Sequence, residues 1–132
     1  MNSAVGRPDA PVLFVMTHPP SEGMTGWLWR VVQQEAGIQK TDVRIIYLLD
    51  GPPENTGGRP SKSQLRAAEA RVAREFKEST PRVVVPFGPD ACRMTFGDVE
   101  EGIFDMRGYV VSSEFFGNLE VESYEQVGVY KQ

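Results

Sequence analysis

The chain has 132 residues, of which 40% are hydrophobic and 24% charged, and its formal net charge is −4 at pH 7. This length and composition suit one compact globular domain over residues 1–132. No apolar run approaches the roughly 20 residues that a membrane helix needs, and the polar first eleven residues lack the apolar core of a secretory signal. A single cysteine and a single histidine argue against a dedicated zinc site, and the lone cysteine fits a reducing cytoplasm.

The charges are unevenly distributed along the chain. Residues 98–132 hold eight acidic and two basic side chains, whereas residues 1–97 hold 10 acidic and 12 basic ones. The negative net charge argues against indiscriminate coating of nucleic acid. A patch that faces phosphate is therefore expected only in the first part, and residues 118–132 are interpreted as an acidic, weakly patterned tail.

The first half of the chain reads as strand, helix, strand. Pro11–Met16 is an almost continuous apolar run, as expected of a parallel strand that is covered on both faces. From Thr25 the apolar residues recur at helical spacing, and Gly37 stands where a C-terminal cap belongs. Asp42–Leu49 is the second predicted strand.

The second half continues the alternation. Ser61 and Gln64 form a capping box, which starts a helix that extends to Thr80. Arg82–Phe87 is the third strand, and Pro89 opens a helix that extends to Phe96. The helix after Ser61 is expected to bury Leu65, Ala68, Val72 and Phe76 and to expose Arg66, Glu69, Arg71, Arg74, Glu75 and Lys77.

A fourth strand over Ile103–Val111, hairpinned with Phe115–Phe116, completes the predicted fold. The order of elements predicts a three-layer α/β/α domain with a central, mainly parallel four-stranded sheet. Ligands bind at the carboxyl ends of strands in such sheets. The loops over residues 17–23, 50–60 and 88–90 should therefore converge on one edge and hold the site.

An ordered series of short motifs adds a resemblance to a known family. The motifs are Met16-Thr17-His18-Pro19-Pro20, Gly23-Met24-Thr25-Gly26-Trp27-Leu28, Glu35-Ala36-Gly37-Ile38, Leu48–Asn55 with Arg59-Pro60, and Pro81–Gly88. In this order and spacing they resemble the uracil-DNA glycosylase superfamily, especially the thermophilic enzymes and the glycosylase-like domains of phage DNA polymerases. The resemblance covers residues 12–108.

The resemblance implies hydrolysis of the N-glycosidic bond of a flipped uracil, without a metal or other cofactor. It also implies DNA as a partner, and a DNA polymerase domain or another replication protein as a second partner, in the cytoplasm of a bacterium or phage-infected cell. By this correspondence, Thr17 and His18 would hold the attacking water. The implied substrate-binding residues are Pro19, Tyr47, Asn55, Phe87 and Gly88, and the residues implied to follow the DNA backbone are Arg59, Lys62 and Arg66.

Several catalytic features of the superfamily have no counterpart in this chain. The family's water-activating acid falls on Thr17, and the asparagine that reads the uracil amide falls on Tyr47. No histidine follows His18 to match the late His-Pro motif, and the iron–sulfur cysteines of the thermophilic branch are absent. These departures favour a domain that binds DNA or uracil without efficient hydrolysis, or a domain that is incomplete; if the chain is active, it is a DNA glycosylase.

Other interpretations of the same residues stay open. His18 could be an exposed loop residue without a task, Tyr47 and Phe87 could pack against helices, and the cations after Arg59 could form a solvated face. Trp27 and Trp29 cannot both face the core, so one should be partly exposed. An alternative function is therefore a non-catalytic interaction module of a replication protein, which docks through the acidic tail and a tryptophan; a small-molecule hydrolase or transferase is a third.

Overall fold

The computed structural model describes residues 4–49, 60–97, 108–124 and 127–132, with the backbone alone at 123, 124 and 127. The strands are β1 (Ala4–Val5), β2 (Val12–Met16), β3 (Val43–Tyr47), β4 (Val83–Pro86), β5 (Val110–Ser113), β6 (Gly117–Tyr124) and β7 (Val127–Lys131). The helices are α1 (Glu22–Ala36), α2 (Lys62–Glu78) and α3 (Pro89–Phe96), and a short 3-10 turn covers Lys40–Asp42. The seven strands form one sheet in the order β1-β3-β2-β4-β7-β6-β5.

The sheet is mixed. Strand β2 pairs in parallel with β3 and β4, whereas β1 with β3, β4 with β7, β7 with β6 and β6 with β5 are antiparallel pairs. The α/β class is confirmed. The prediction of a mainly parallel four-stranded sheet is wrong, because β1 extends one edge of the parallel strands and a three-stranded meander, β5 to β7, extends the other.

The segment interpreted as an acidic tail forms the strands β6 and β7. Leu119, Val121 and Tyr130 are fully buried on one face of the sheet, while Asn118 and Glu120 are exposed on the other. This alternation has the period of a half-buried antiparallel strand. The described acids of this segment, Glu120 and Glu122, therefore belong to the outer face of β6, and they obscured the inward apolar positions in the sequence pattern.

The predicted fourth strand also differs from the one observed. Strand β5 begins at Val110, and Ile103–Arg107 lie outside the described residues. Phe115 and Phe116 form the turn of the β5–β6 hairpin rather than a strand, and the hairpin closes at Gly117, whose φ of 75° suits a glycine after a three-residue loop.

Helices cover both faces of the parallel strands. Val12 and Phe14 of β2 belong to the cluster against which α1 packs, whereas Leu13 and Val15 belong to the cluster that contains side chains of α2 and α3. Alternate residues of one strand thus enter two cores, which explains why β2 is apolar throughout. The three-layer arrangement holds over the parallel strands, and the cluster on the α1 face also includes Val129 of β7.

Two of the predicted helix ends, the start of α2 and the end of α1, agree with the caps. Ser61 Oγ accepts a hydrogen bond from Gln64 N (3.1 Å), and Gln64 Oε1 accepts one from Ser61 N (3.0 Å), which completes the capping box of α2. Gly37 ends α1 with a φ of 67°. Helix α1 starts at Glu22, earlier than predicted, because the Ser21 hydroxyl accepts a hydrogen bond from Met24 N. Within the part of the chain that the structure describes, no helix is long and apolar enough to cross a membrane.

Candidate functional site

The carboxyl ends of β2, β3 and β4 meet at one edge of the sheet, as predicted. We call this edge the rim; it consists of Thr17–Pro20, Tyr47–Leu49 and Phe87–Gly88. Backbone hydrogen bonds hold its three segments together. These bonds run from Leu48 N to the Met16 carbonyl (2.9 Å), from Leu49 N to the Thr17 carbonyl (2.9 Å) and from Phe87 N to the Val15 carbonyl (2.8 Å).

His18 contributes a partly exposed imidazole to the rim. Its Nδ1 lies 3.1 Å from the carbonyl oxygen of Pro19. A carbonyl oxygen can only accept a hydrogen bond, so Nδ1 is the donor in this contact. The arrangement could accept a proton from water or from a ligand. The neighbouring Thr17 offers a hydroxyl, which cannot stabilise a developing positive charge as a carboxylate would.

Tyr47 and Phe87 place two aromatic rings at the ends of β3 and β4. Both side chains are half-buried and pack against the core cluster under α1, and the Phe87 ring lies edge-on to Phe14 at 5.3 Å between centroids. Burial raises the pKa of the Tyr47 phenol, which keeps it a neutral hydrogen-bond donor. Each ring therefore combines a packing role with an exposed fraction that a flat ligand could contact.

Gly88 joins β4 to α3 and adopts a φ of 92°. A Cβ at this position would meet no atom within 4 Å, so backbone conformation, and not crowding, is what requires glycine here. The first turn of α3 also contains the buried carboxylate of Asp90, which lies 3.6 Å from Arg93. A negative charge at this helix end opposes the binding of a phosphate there.

Two of the residues predicted to follow the DNA backbone are described. Lys62 and Arg66 are exposed, and they lie one helical turn apart at the start of α2. Because α2 connects the end of β3 to the start of β4, its first turn lies on the rim side of the sheet. Asn55 and Arg59 lie outside the described residues, and so does the rest of the 50–59 loop.

Sequence reasoning missed Arg71, which it placed on the outer face of α2. The Arg71 guanidinium donates to the carbonyls of Leu48 (2.7 Å) and Tyr47 (3.2 Å) and pairs with Glu75 (3.2 Å). Glu75, also predicted to face outward, is buried. The helical periodicity does indicate this burial, since positions 71 and 75 follow Ala68 at i+3 and i+7 and so lie on the buried face of α2. Arg71 therefore fixes the carbonyls that end β3.

The described residues give little support for a catalytic cysteine or a metal site. Among the described residues no group of three or more His, Cys, Asp or Glu side chains could hold a metal ion. The Cys92 sulfur lies 4.0 Å from the Tyr130 hydroxyl, and burial raises the pKa of this thiol. At neutral pH Cys92 is therefore a protonated packing residue and a poor nucleophile.

Comparison with known proteins adds no family assignment. No protein-family model matches the chain, and no curated protein sequence matches it. The resemblance to uracil-DNA glycosylases consequently rests on the motifs between residues 12 and 108. The function that follows is argued from the chemistry of the rim.

Proposed function

We propose that this chain is a uracil-DNA glycosylase-like domain that binds single-stranded or uracil-containing DNA at the rim, as part of phage-type replication or repair machinery. The observation that carries the proposal is the composition of the rim: an imidazole whose Nδ1 lies 3.1 Å from the Pro19 carbonyl oxygen, and two half-buried aromatic rings, on three adjacent parallel strands. Partly exposed aromatic rings suit an unstacked base, since every base has a π-face that can stack on them. Lys62 and Arg66 supply positive charge at the same edge of the sheet, at the start of α2.

Binding without efficient hydrolysis is the favoured form of this activity. Thr17 occupies the place of the family's acid, and an alcohol gives little electrostatic stabilisation to a cationic sugar in the transition state. Asp90 does not substitute for that acid, because it is buried against Arg93 in the first turn of α3. His18 alone would accept a proton from water without balancing charge on the sugar.

The test pairs a binding assay with an activity assay. A fluorescein-labelled single strand with one uracil is titrated by fluorescence polarisation, and the same strand is scored for abasic sites by alkaline cleavage on a gel. The double variant Lys62→Ala/Arg66→Ala should lower the slope of log affinity against log salt by about 1.4, because two phosphate contacts are lost. Base release above the protein-free background would contradict the non-catalytic form of the proposal.

The matched control carries the same charge change at the other edge of the sheet. Lys77 and Arg82 are exposed and lie at the end of α2 and immediately before β4. Lys77→Ala/Arg82→Ala should leave both affinity and salt slope unchanged. Equal losses in the two double variants would indicate diffuse electrostatic attraction and contradict a site at the rim.

A protein-interaction module is the second candidate function, and a specific observation favours it. Trp27 and Met24 are each 52% exposed, and they lie one turn apart on α1. This confirms that one tryptophan is left partly exposed, and a large exposed aromatic ring is typical of an interface anchor. Salt separates the candidates: binding of DNA through Lys62 and Arg66 should weaken steeply with salt, whereas docking through Trp27 should not.

A further inference from the structure

A groove of about 550 Å³ runs along one side of α1. It starts at Pro20, two residues after His18, and continues past Thr25 to Lys40 in the 3-10 turn before β3. Because α1 rises about 1.5 Å per residue, the helical wall from Glu22 to Gln34 is about 18 Å long. The groove therefore leads from the rim toward the opposite edge of the sheet.

The floor of the groove contains the ring of Trp29. This side chain is half-buried, and it stacks on Phe14 with ring centroids 6.3 Å apart and planes 25° from parallel. The ammonium of Lys40 lies 5.3 Å from the centroid of the same ring. The core thus holds the indole in place, while the cation above it belongs to a long exposed side chain that can move to a stronger anionic partner.

The other lining groups match a nucleic-acid strand. Arg30 and Lys40 are exposed cations, Glu22 is the one acid among the lining residues, and Gln33 and Gln34 provide amide donors and acceptors. The groove is therefore net positive in a chain whose net charge is −4. An aromatic floor with flanking cations is the arrangement with which proteins bind single strands, through base stacking and phosphate contacts.

We propose that this groove guides a single strand of nucleic acid to or from the rim, with one base on Trp29 and phosphates on Arg30 and Lys40. The inference rests on the proposed function, since the same strand has to reach His18, Tyr47 and Phe87. An acidic peptide would satisfy the cations but would leave the indole without a stacking partner. The strand uses both features, and this is why we infer a nucleic acid.

The chain contains two tryptophans, which makes a direct optical test possible. Trp27→Phe replaces the exposed indole and leaves Trp29 as the sole tryptophan emitter. Titration of this variant with a short oligothymidylate should quench Trp29 fluorescence in parallel with the rise in polarisation of the labelled strand. An abasic phosphodiester of the same length should bind more weakly and leave the fluorescence unchanged, because stacking requires the base.

Two further variants test the phosphate contacts. Arg30→Ala and Lys40→Ala should each lower the slope of log affinity against log salt by about 0.7, the value for one phosphate on a single strand. Arg74→Ala and Lys77→Ala, which remove exposed cations from α2, serve as matched controls and should leave the slope unchanged. An equal effect in all four variants would overturn the proposal.

The remaining outcomes separate the groove from the rim. If the oligothymidylate binds and responds to Lys62→Ala/Arg66→Ala, but Trp29 is not quenched, the groove proposal is overturned and the rim proposal stands. If no strand binds at all, both are overturned. If polyglutamate quenches Trp29 and competes as well as the oligothymidylate, the groove is a site for acidic peptides and the nucleic-acid proposal is wrong.

Discussion

The parallel strands and the antiparallel meander of this sheet are built from different patterns and face different surroundings. Strands β2 and β3 are buried along nearly their whole length, because α1 covers one face and α2 with α3 covers the other. In the meander Leu119 and Val121 are buried, while Glu120 and Val110 on the opposite face are exposed. The comparison shows how helix coverage decides whether a strand reads as a continuous apolar run or as an alternation.

The same division separates the charges. The exposed cations considered for nucleic acid, Lys62, Arg66, Arg30 and Lys40, all lie on the elements that surround the parallel strands. The meander presents Glu120 and Glu122 on its open face, where Glu122 pairs with Lys131 at 2.9 Å. A nucleic-acid strand should therefore contact the parallel part of the molecule and avoid the meander.

The largest expected effect tests whether the two regions fold as one unit. Phe76 of α2 is fully buried, and its ring contacts Phe115 (5.0 Å) and Phe116 (5.5 Å) in the turn between β5 and β6. Phe76→Ala should lower the free energy of unfolding by about 3–5 kcal/mol. Urea unfolding is followed by tryptophan fluorescence, which reports α1 because both tryptophans lie there, and by circular dichroism, which also reports the meander. If the two regions unfold as one unit, as we expect, the two transitions coincide.

Val110→Ala is the control for this experiment. Val110 is 66% exposed on the open face of the meander, so its truncation should change the free energy of unfolding by no more than about 0.5 kcal/mol. Two separated transitions for Phe76→Ala would show instead that the meander is an independently folding unit. That outcome would mean that the two regions differ in stability as well as in strand pattern.

A smaller effect is expected from the residue that fixes the rim. Arg71→Met removes the donor to the carbonyls of Tyr47 and Leu48 and leaves the buried carboxylate of Glu75 without this cation. We expect a loss of about 3 kcal/mol in unfolding free energy, typical of breaking a buried pair from one side. Thermal unfolding monitored by circular dichroism measures the change.

Arg74→Met is the matched control, since Arg74 is exposed on the same helix and should contribute less than about 0.5 kcal/mol. DNA affinity adds a second measurement, because displaced β3 carbonyls should disturb the rim in Arg71→Met alone. Similar stability and similar affinity in both variants would mean that Arg71 does not position the rim.

The smallest change in unfolding free energy at neutral pH is expected at the junction between the two regions, and this change increases at alkaline pH. Tyr130 of β7 is fully buried where the meander pairs with β4, and burial, followed by the nearby Cys92, raises the pKa of its phenol. The folded state thus keeps this proton while the unfolded chain loses it above pH about 10. The stabilisation is complete below that pH and is lost as the pH rises.

Tyr130→Phe removes this titration. Above pH about 10 the protein with Tyr130 should lose about 1.4 kcal/mol of stability per pH unit more than the variant does, which corresponds to one proton. Tyr47 is present in both proteins, so its own titration cancels in the comparison. Burial raises the pKa of the Cys92 thiol and the Tyr130 hydroxyl lowers it, so both proteins carry Cys92→Ala to remove that second titration. Urea midpoints measured from pH 8 to 11 give the two slopes, and parallel slopes would show that Tyr130 ionises in the folded state.

Part of the candidate site follows from the sequence. The rule that parallel strands present their carboxyl ends at one edge placed Thr17, His18, Tyr47, Phe87 and Gly88 together, and the backbone hydrogen bonds of the rim agree. Their roles toward DNA stay predictions, and so do those of Asn55 and Arg59, which lie outside the described residues.

Two other features of the site needed the structure. Arg71 was assigned to solvent because charged residues usually point outward, whereas hydrogen bonds to the strand-end carbonyls and the ion pair with Glu75 hold it in a partly buried position. The groove beside α1 is lined by residues of that helix and by Lys40, which follows the helix in the chain. Only the folded structure shows that Lys40 lies next to Trp29.

The amino-acid sequence by itself determined the local elements. The apolar runs of β2 and β3, the capping box at Ser61 and the glycine at position 37 each act within a few residues, so their effect can be read from adjacent positions. Only the tertiary structure decided that β7 pairs with β4 and that residues 118–124 and 127–131 extend the sheet. Strand pairing joins residues that are far apart in the chain. A period-two pattern shows which face of a strand is buried, but it does not show which other strand pairs with it.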